Sequence, residues 1–412
     1  MITQHFIQQF DYSVNPIFSE HTERVFSDAD NIAIYEQIRR IDFWVDVYLT
    51  EKHLVKKTQI EQTIQKSVQA IRVILHARTQ TESLLRQAVD VCLEEAHQYV
   101  LRLMQFSEYP SYSYKSGQAV SFDTDRYNHM VQHGYCEYQL PETTAFKQYC
   151  QLQMEEARMK YRDTDDWRGA NWEGYDKTEG YQILKNFILD QHILDLVSAY
   201  KGKEMEFKYI AWDYNHHRQL WFKNVNGVEK RSPTNYYHFD ADPNVAKMMI
   251  YLSDVNETDG PFRYVKGSHS LARSPFTIGL HYGVDAKVNP LVPAPFSRFR
   301  RNAFTHNRAL LMQLPHAFLG STHFGDDLVE NSALSRYLLD NTVVFTRPAG
   351  AGIVFDGYLG VHAGGNPISG ERLAVQVGFI QKKPKTSNNV QRNSSLFAKG
   401  KRFIKGQLLG KK

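Results

Sequence analysis

The sequence predicts an α+β fold with a mainly β core, either a β-sandwich or a cupin-like barrel, with helices packed outside it. Three observations point there. Through the first quarter of the chain, apolar residues recur at three- and four-residue steps, the period of amphipathic helices. From Phe207 onward the texture changes to short apolar runs. Turn residues separate those runs, as in Asn226-Gly227, Asp259-Gly260-Pro261 and Pro348-Ala349-Gly350. Helices first and many short strands afterwards call for a layered α+β architecture, not alternating βαβ units.

Taken in order, residues 1–20 show no period. Ile34, Ile38, Ile41, Val45 and Leu49 mark a first helix, and Ile60, Ile64, Val68, Ile71 and Leu75 a second. Thr79-Gln80-Thr81-Glu82 has the form of a capping box that starts a third, through Leu85, Val89, Leu93, Ala96 and Val100. Three amphipathic helices must bury their apolar stripes, on the rest of the chain or across a dimer. Residues 1–108 are therefore read as a helical extension. A loop with Tyr109-Pro110 and Ser116-Gly117 bounds it.

Residues 120–385 form the main domain. A turn and short strand are expected at 133–140, a helix over 142–160, a surface loop with Trp167 and Trp172 over 163–180, and a helix over 184–200. Strands are expected at 207–213, 219–223, 235–241, 246–253, 262–265, 342–346, 352–356 and 372–381. Residues 270–341 interrupt them without a strand rhythm and hold Pro290, Pro293, Pro295 and Arg298-Phe299-Arg300-Arg301. An insertion of that length is a binding loop or variable surface.

Composition narrows the function classes. The chain has 412 residues, 42% of them hydrophobic and 23% charged, and a mean hydropathy of −0.49. Those values suit a soluble globular protein. No apolar run approaches the roughly 18 residues that a membrane span needs, and the N-terminus lacks the basic and apolar segments of a secretory signal. Three cysteines (Cys92, Cys136, Cys150) without metal-site spacing suit a reducing cytoplasm. The net charge of +4 is uneven: residues 381–412 hold ten Lys/Arg and no Asp/Glu, leaving 39 Lys/Arg against 45 Asp/Glu elsewhere. No nucleic acid is expected on so mildly acidic a body. The basic tail, 386–412, with Phe403-Ile404 and Leu408-Leu409 among its charges, is read as a solvated end that leaves room for weak contact with an anionic surface.

The chemistry gathers at Tyr236-Tyr237-His238-Phe239-Asp240. Alternate residues of a strand share a face, so His238 and Asp240 project together and Phe239 turns away. An imidazole and a carboxylate are two thirds of a 2-His-1-carboxylate site for non-haem Fe(II). His362, between the strand ending in Phe355 and Gly364-Gly365, is the candidate third ligand. Arg372 then enters an apolar strand, Leu373 to Phe379, where a buried guanidinium needs an anionic partner and its planar fork suits a carboxylate.

With these residues in order, the chain resembles the phytanoyl-CoA dioxygenase family of Fe(II)- and 2-oxoglutarate-dependent oxygenases. The similar stretches are His238-Phe239-Asp240, Met249-Ile250-Tyr251-Leu252-Ser253-Asp254-Val255, Gly260-Pro261-Phe262, Val265-Lys266-Gly267-Ser268-His269, and His362 through Arg372, all within residues 125–385. The resemblance implies a double-stranded β-helix with iron at one end. His238, Asp240 and His362 would bind Fe(II), and Arg372 would pair with the distal carboxylate of 2-oxoglutarate. The family often has a small hydroxyl residue two positions after the distal histidine. Gly364 stands there in this chain, and Ser369, Tyr237 or Tyr251 is the candidate replacement. Halogenating relatives lack the carboxylate, so Asp240 points to hydroxylation or a related oxidation. The resemblance as a whole implies hydroxylation of a small or carrier-linked metabolite by O2, with succinate and CO2 released. His269 is read as structural or substrate-facing, and His216-His217 as a surface pair. Two other readings remain at this stage, a catalytically silent ligand-binding relative and a cupin-type metal enzyme that does not use 2-oxoglutarate.

Overall fold

The computed structural model describes residues 25–51, 56–108, 112, 121–161, 179–216, 237–240, 242–271, 274–287, 313–319, 322–324, 333–365 and 367–382. The expected strand at 219–223, the loop with Trp167 and Trp172, His217, the cluster at 298–301 and the basic tail lie outside them. No helix of the described residues is long and apolar enough to cross a membrane.

The expected helices form as α1 (Asp28–Glu51), α2 (Lys57–Arg78) and α3 (Ser83–Ser107). Their apolar stripes are buried together, Ile34, Ile38 and Ile41 with Ile64, Val68 and Ile71 and with Val89, Leu93 and Val100. Thr79 corrects one expectation. Its hydroxyl donates to the Leu75 carbonyl at 2.9 Å and closes α2, while Glu82 stands at the N-cap of α3 without a side-chain cap. The threonine serves the helix behind it because an open carbonyl lies within reach there.

The same core takes in part of the 270–341 insertion. Helix α8 (Pro275–Lys287) buries Phe276, Leu280 and Val284 against these helices, together with Leu314 and Phe318. Asp42 of α1 accepts a hydrogen bond from the Phe276 amide at 3.1 Å and so caps α8 from another helix. Gly279 and Gly283 make the approach to α3 close: a Cβ would lie 2.6 Å from Ala96 Cα and 2.8 Å from Cys92 Cα. Glycine within a helix ordinarily lowers its stability; here both glycines are contact points. Gly279→Ala should therefore destabilise. Alanine gains about 0.5–1 kcal/mol in a helix, but overpacking against main chain costs about 1–3 kcal/mol. A lower urea midpoint at unchanged slope is the expected result, and a higher midpoint would refute the close contact.

In the main domain come α4 (Thr124–His133), α5 (Thr144–Tyr161), α6 (Glu179–Asp190) and α7 (Ile193–Lys201). The single helix expected over 184–200 is two. His192, at φ 50°, breaks it, and the apolar series steps five residues from Ile188 to Ile193, which no one helix face accommodates.

Strands β1 (Tyr135–Gln139), β2 (Met205–His216), β4 (Val245–Tyr251), β8 (Ala351–Phe355) and β10 (Glu371–Gln381) form an antiparallel sheet in the order β1-β8-β4-β10-β2. A second antiparallel sheet orders β6 (His323–Phe324), β3 (Tyr237–His238), β9 (His362–Ala363), β5 (Phe262–Val265) and β7 (Thr342–Phe345) as β6-β3-β9-β5-β7. Helix α9 (Ala333–Asp340) precedes β7.

Each face of the first sheet has its own task. Leu373, Val375, Val377 and Phe379 of β10 face α4 to α7, as do Ile210 and Trp212 of β2. The opposite face meets the second sheet through Tyr251, Ile353, Phe355 and Ala374 against Phe262, Tyr264 and Phe345. The Phe262 and Phe355 rings meet at a 40° tilt with centroids 4.8 Å apart. A strand buried on both sides reads as a continuous apolar run, so a charge within one marks a lumen partner.

Candidate metal centre

His238 and His362 are opposite partners of the β3–β9 ladder. Directly opposed side chains point the same way, and the two rings lie 4.3 Å apart at 50°. Asp240 follows two residues after His238. Its amide donates to the Gly357 carbonyl at 2.8 Å, which fastens it to the loop leading into β9. Phe239 turns to the far side and packs against the cluster of Val265, Leu334, Leu338 and Val361. One ligating atom from each of His238, Asp240 and His362 lies within 4.8 Å of the others.

The loop 356–360 sets this geometry. The buried Asp356 carboxylate pairs with Lys201 at 2.7 Å and accepts the Tyr358 and Leu359 amides. His362 Nδ1 lies 3.1 Å from the Gly360 carbonyl. That partner assigns the ring proton to Nδ1 and leaves the Nε2 lone pair facing Asp240 Oδ2, 3.7 Å away. Burial, then His238, pushes His362 down to about 3, so the ring is neutral and able to ligate. Ser268 supports the same loop: its hydroxyl donates to the Val265 carbonyl and accepts the Val361 amide, both at 2.7 Å.

Burial alone would raise the Asp240 carboxyl. The Lys247 ammonium, 2.8 Å from Oδ2, outweighs it and holds the group well below the usual carboxylate range. Asp240 Oδ2 has no hydrogen bond of good geometry despite its burial. An anionic oxygen and a neutral imidazole nitrogen facing one another are the donor set that a borderline dication takes.

Along the inner face of β10, Arg372 is 3% exposed. One guanidinium nitrogen donates to the Gly260 carbonyl, and Nε has no partner. Its register partner on β2 is Asn215, whose amide oxygen and nitrogen are both buried without partners. Orphaned donors beside a buried cation need an anionic ligand with acceptor oxygens. The Tyr251 hydroxyl, next to Arg372, donates to the Phe345 carbonyl and accepts the Phe262 amide, each at 2.9 Å.

Two hydroxyl candidates lie elsewhere. Tyr237 points to the far side of β3, its hydroxyl 2.7 Å from Thr342 Oγ1. Ser369 is exposed beside Thr258. His216, expected at the surface, is 3% exposed at the end of β2 beside Tyr214. Its strand runs three residues beyond the expected end and carries it inside. His269 bonds the Val131 carbonyl at 2.9 Å, a link between its turn and α4.

Sequence reasoning missed Lys247, Asn215, Gly357 and Ser268. Lys247 carried a usable signal, a lone charge within Val245-Ala246-Lys247-Met248-Met249-Ile250-Tyr251. The others depend on neighbours distant in the chain.

The comparisons bear on the same region. A family model described as Phytanoyl-CoA dioxygenase (PhyH) matches residues 132–297. The match includes His238 and Asp240 and ends before His362 and Arg372. No curated protein matches the chain. Similar solved structures include EctD from S. alaskensis with bound Fe, at 12% identity, covering 69% of this chain and 85% of that one with a TM-score of 0.36. HygX from Streptomyces hygroscopicus with nickel and 2-oxoglutarate has 13% identity, 66% and 90% coverage and a TM-score of 0.33. AviO1 from Streptomyces viridochromogenes Tue57 has 11% identity, 66% and 100% coverage and a TM-score of 0.34.

Proposed function

We propose that this chain, whose residues 132–297 match the phytanoyl-CoA dioxygenase family, is a non-haem Fe(II)- and 2-oxoglutarate-dependent dioxygenase that hydroxylates a small or carrier-linked metabolite. The observation that carries the reading is the convergence of His238, Asp240 and His362 on one point between two antiparallel sheets. Those sheets are read as a double-stranded β-helix with the metal at one end.

In this reading His238, Asp240 and His362 hold Fe(II), and Arg372 receives the distal carboxylate of 2-oxoglutarate, with the Asn215 amide beside it. Bound there, iron and 2-oxoglutarate supply the oxidising equivalent drawn from O2, with release of succinate and CO2. The chain's own residues do the rest. Gly360 keeps the His362 tautomer that presents Nε2. Lys247 keeps Asp240 ionised, ready to ligate without losing a proton first. The layer of Phe262, Phe345 and Phe355, almost fully buried, keeps water from the inner end of the lumen. Asp240 would fill the place that a halide takes in halogenating relatives, which favours hydroxylation or a related oxidation.

The direct test is spectroscopic. Anaerobic protein given Fe(II) and 2-oxoglutarate should develop a weak visible charge-transfer band, and O2 should then yield succinate. Arg372→Ala should weaken 2-oxoglutarate at least about thirtyfold, since truncating one partner of a buried charge pair costs about 2–5 kcal/mol. No band in the wild-type protein, or an undiminished one in Arg372→Ala, would falsify the assignment. A protein that binds metal but not 2-oxoglutarate would point to the cupin-type alternative.

A further inference from the structure

Lys247 is the unexpected charge at this centre. It lies on β4 in register with Gly378 of β10 and Phe355 of β8, facing the lumen. Its ammonium stands 2.8 Å from Asp240 Oδ2, and that oxygen lies 3.7 Å from His362 Nε2. A monovalent cation thus already sits against the carboxylate a metal would bind. Burial works against the charged ammonium, but the Asp240 carboxylate at 2.8 Å outweighs it. Asp213, on the inner face of β2, lies within electrostatic reach of both Lys247 and Arg372.

The Lys247 ammonium and a metal held by Asp240 and His362 would therefore share one carboxylate oxygen. A dication arriving alone would add two positive charges beside the ammonium, in surroundings that screen poorly. A dication arriving with a dianionic 2-oxo acid would bring its own counter-charge and offer the ammonium a carboxylate in place of Asp240.

We propose that Lys247 couples the two ligands. Its ammonium opposes binding of the metal alone and favours the 2-oxo acid once the metal is in place. This rests on the functional reading above and adds to it a positioning residue on β4 and an order of loading. Coupling between ligands is reciprocal, so one residue sets both effects. A lysine that merely orients Asp240 predicts the opposite sign for the metal, since loss of an outer-shell partner weakens metal binding by about 10–100-fold.

The test is a binding cycle with Mn(II) in place of iron, so that no turnover intervenes. Mn(II) affinity is measured by electron paramagnetic resonance with and without saturating 2-oxoglutarate, for wild type, Lys247→Met and Lys247→Arg. The ratio of the two affinities is the coupling. In Lys247→Met, Mn(II) alone should bind on the order of tenfold tighter and the coupling should fall by at least about tenfold, a change of about 1.4 kcal/mol. Lys247→Arg should keep most of the coupling. Weaker Mn(II) binding in Lys247→Met, or an unchanged coupling, overturns the proposal. Should the methionine variant fail to fold, Lys247→Gln carries the same comparison, since it removes the charge and keeps a hydrogen-bond donor. If wild-type protein binds Mn(II) but never 2-oxoglutarate, the functional reading fails instead, and the two failures are told apart.

Discussion

Asp240→Ala is expected to lose Fe(II) binding in the absence of 2-oxoglutarate and to form no succinate above background. The substitution removes the only anionic donor of the three and leaves two imidazoles next to the Lys247 ammonium, 2.8 Å from where the carboxylate had been. Losing an outer-shell partner costs about 10–100-fold in metal affinity, and losing a ligand together with the counter-charge of a nearby cation should exceed that. Iron content after anaerobic reconstitution and desalting, measured beside succinate formation, checks both halves. Succinate formed at the wild-type rate would move the iron site elsewhere.

Gly357→Ala should give the second large effect, through a residue that ligates nothing. A Cβ there would lie 2.0 Å from Asp240 Oδ2 and 3.1 Å from His362 Cε1. The carboxylate cannot step back freely, because the Asp240 amide is bonded to the Gly357 carbonyl itself. Gly357 is not among the positive-φ residues, so alanine adds no backbone strain and the whole cost falls on the contact. Metal affinity should drop by on the order of 10–100-fold with secondary structure retained, as titration beside circular dichroism would report. Unchanged affinity would mean that Asp240 can swing away, and that the observed carboxylate position is not the ligating one.

Much of this centre was legible in the sequence because its signals are local or periodic. His238 and Asp240 share a face by strand alternation alone. Arg372 declared itself by entering an apolar strand, and Lys247 obeys the same rule on β4, where it went unread. The three N-terminal helices were visible as apolar stripes and form with those residues buried, save Leu49, which is half-buried while Tyr48 takes the inner place. Illegible were contacts that depend on what arrives from elsewhere in the chain. Thr79 serves the helix behind it, His216 is drawn inside by a longer strand, and Gly279 is a contact point because α3 lies against it.

The sequence by itself determined which side chains share a strand face, where apolar stripes demand cover, and which charges cannot be buried without a partner. These follow from backbone periodicity and from the cost of desolvation, which act residue by residue. Only the tertiary structure decided that His362 pairs across the ladder from His238, that the loop 356–360 sets its tautomer, and that the insertion helix closes the N-terminal core. It alone placed Lys247 against Asp240. The reason is physical: a ladder register, a hydrogen bond or a charge pair needs its second member brought within a few ångströms, and chain folding settles which residues meet.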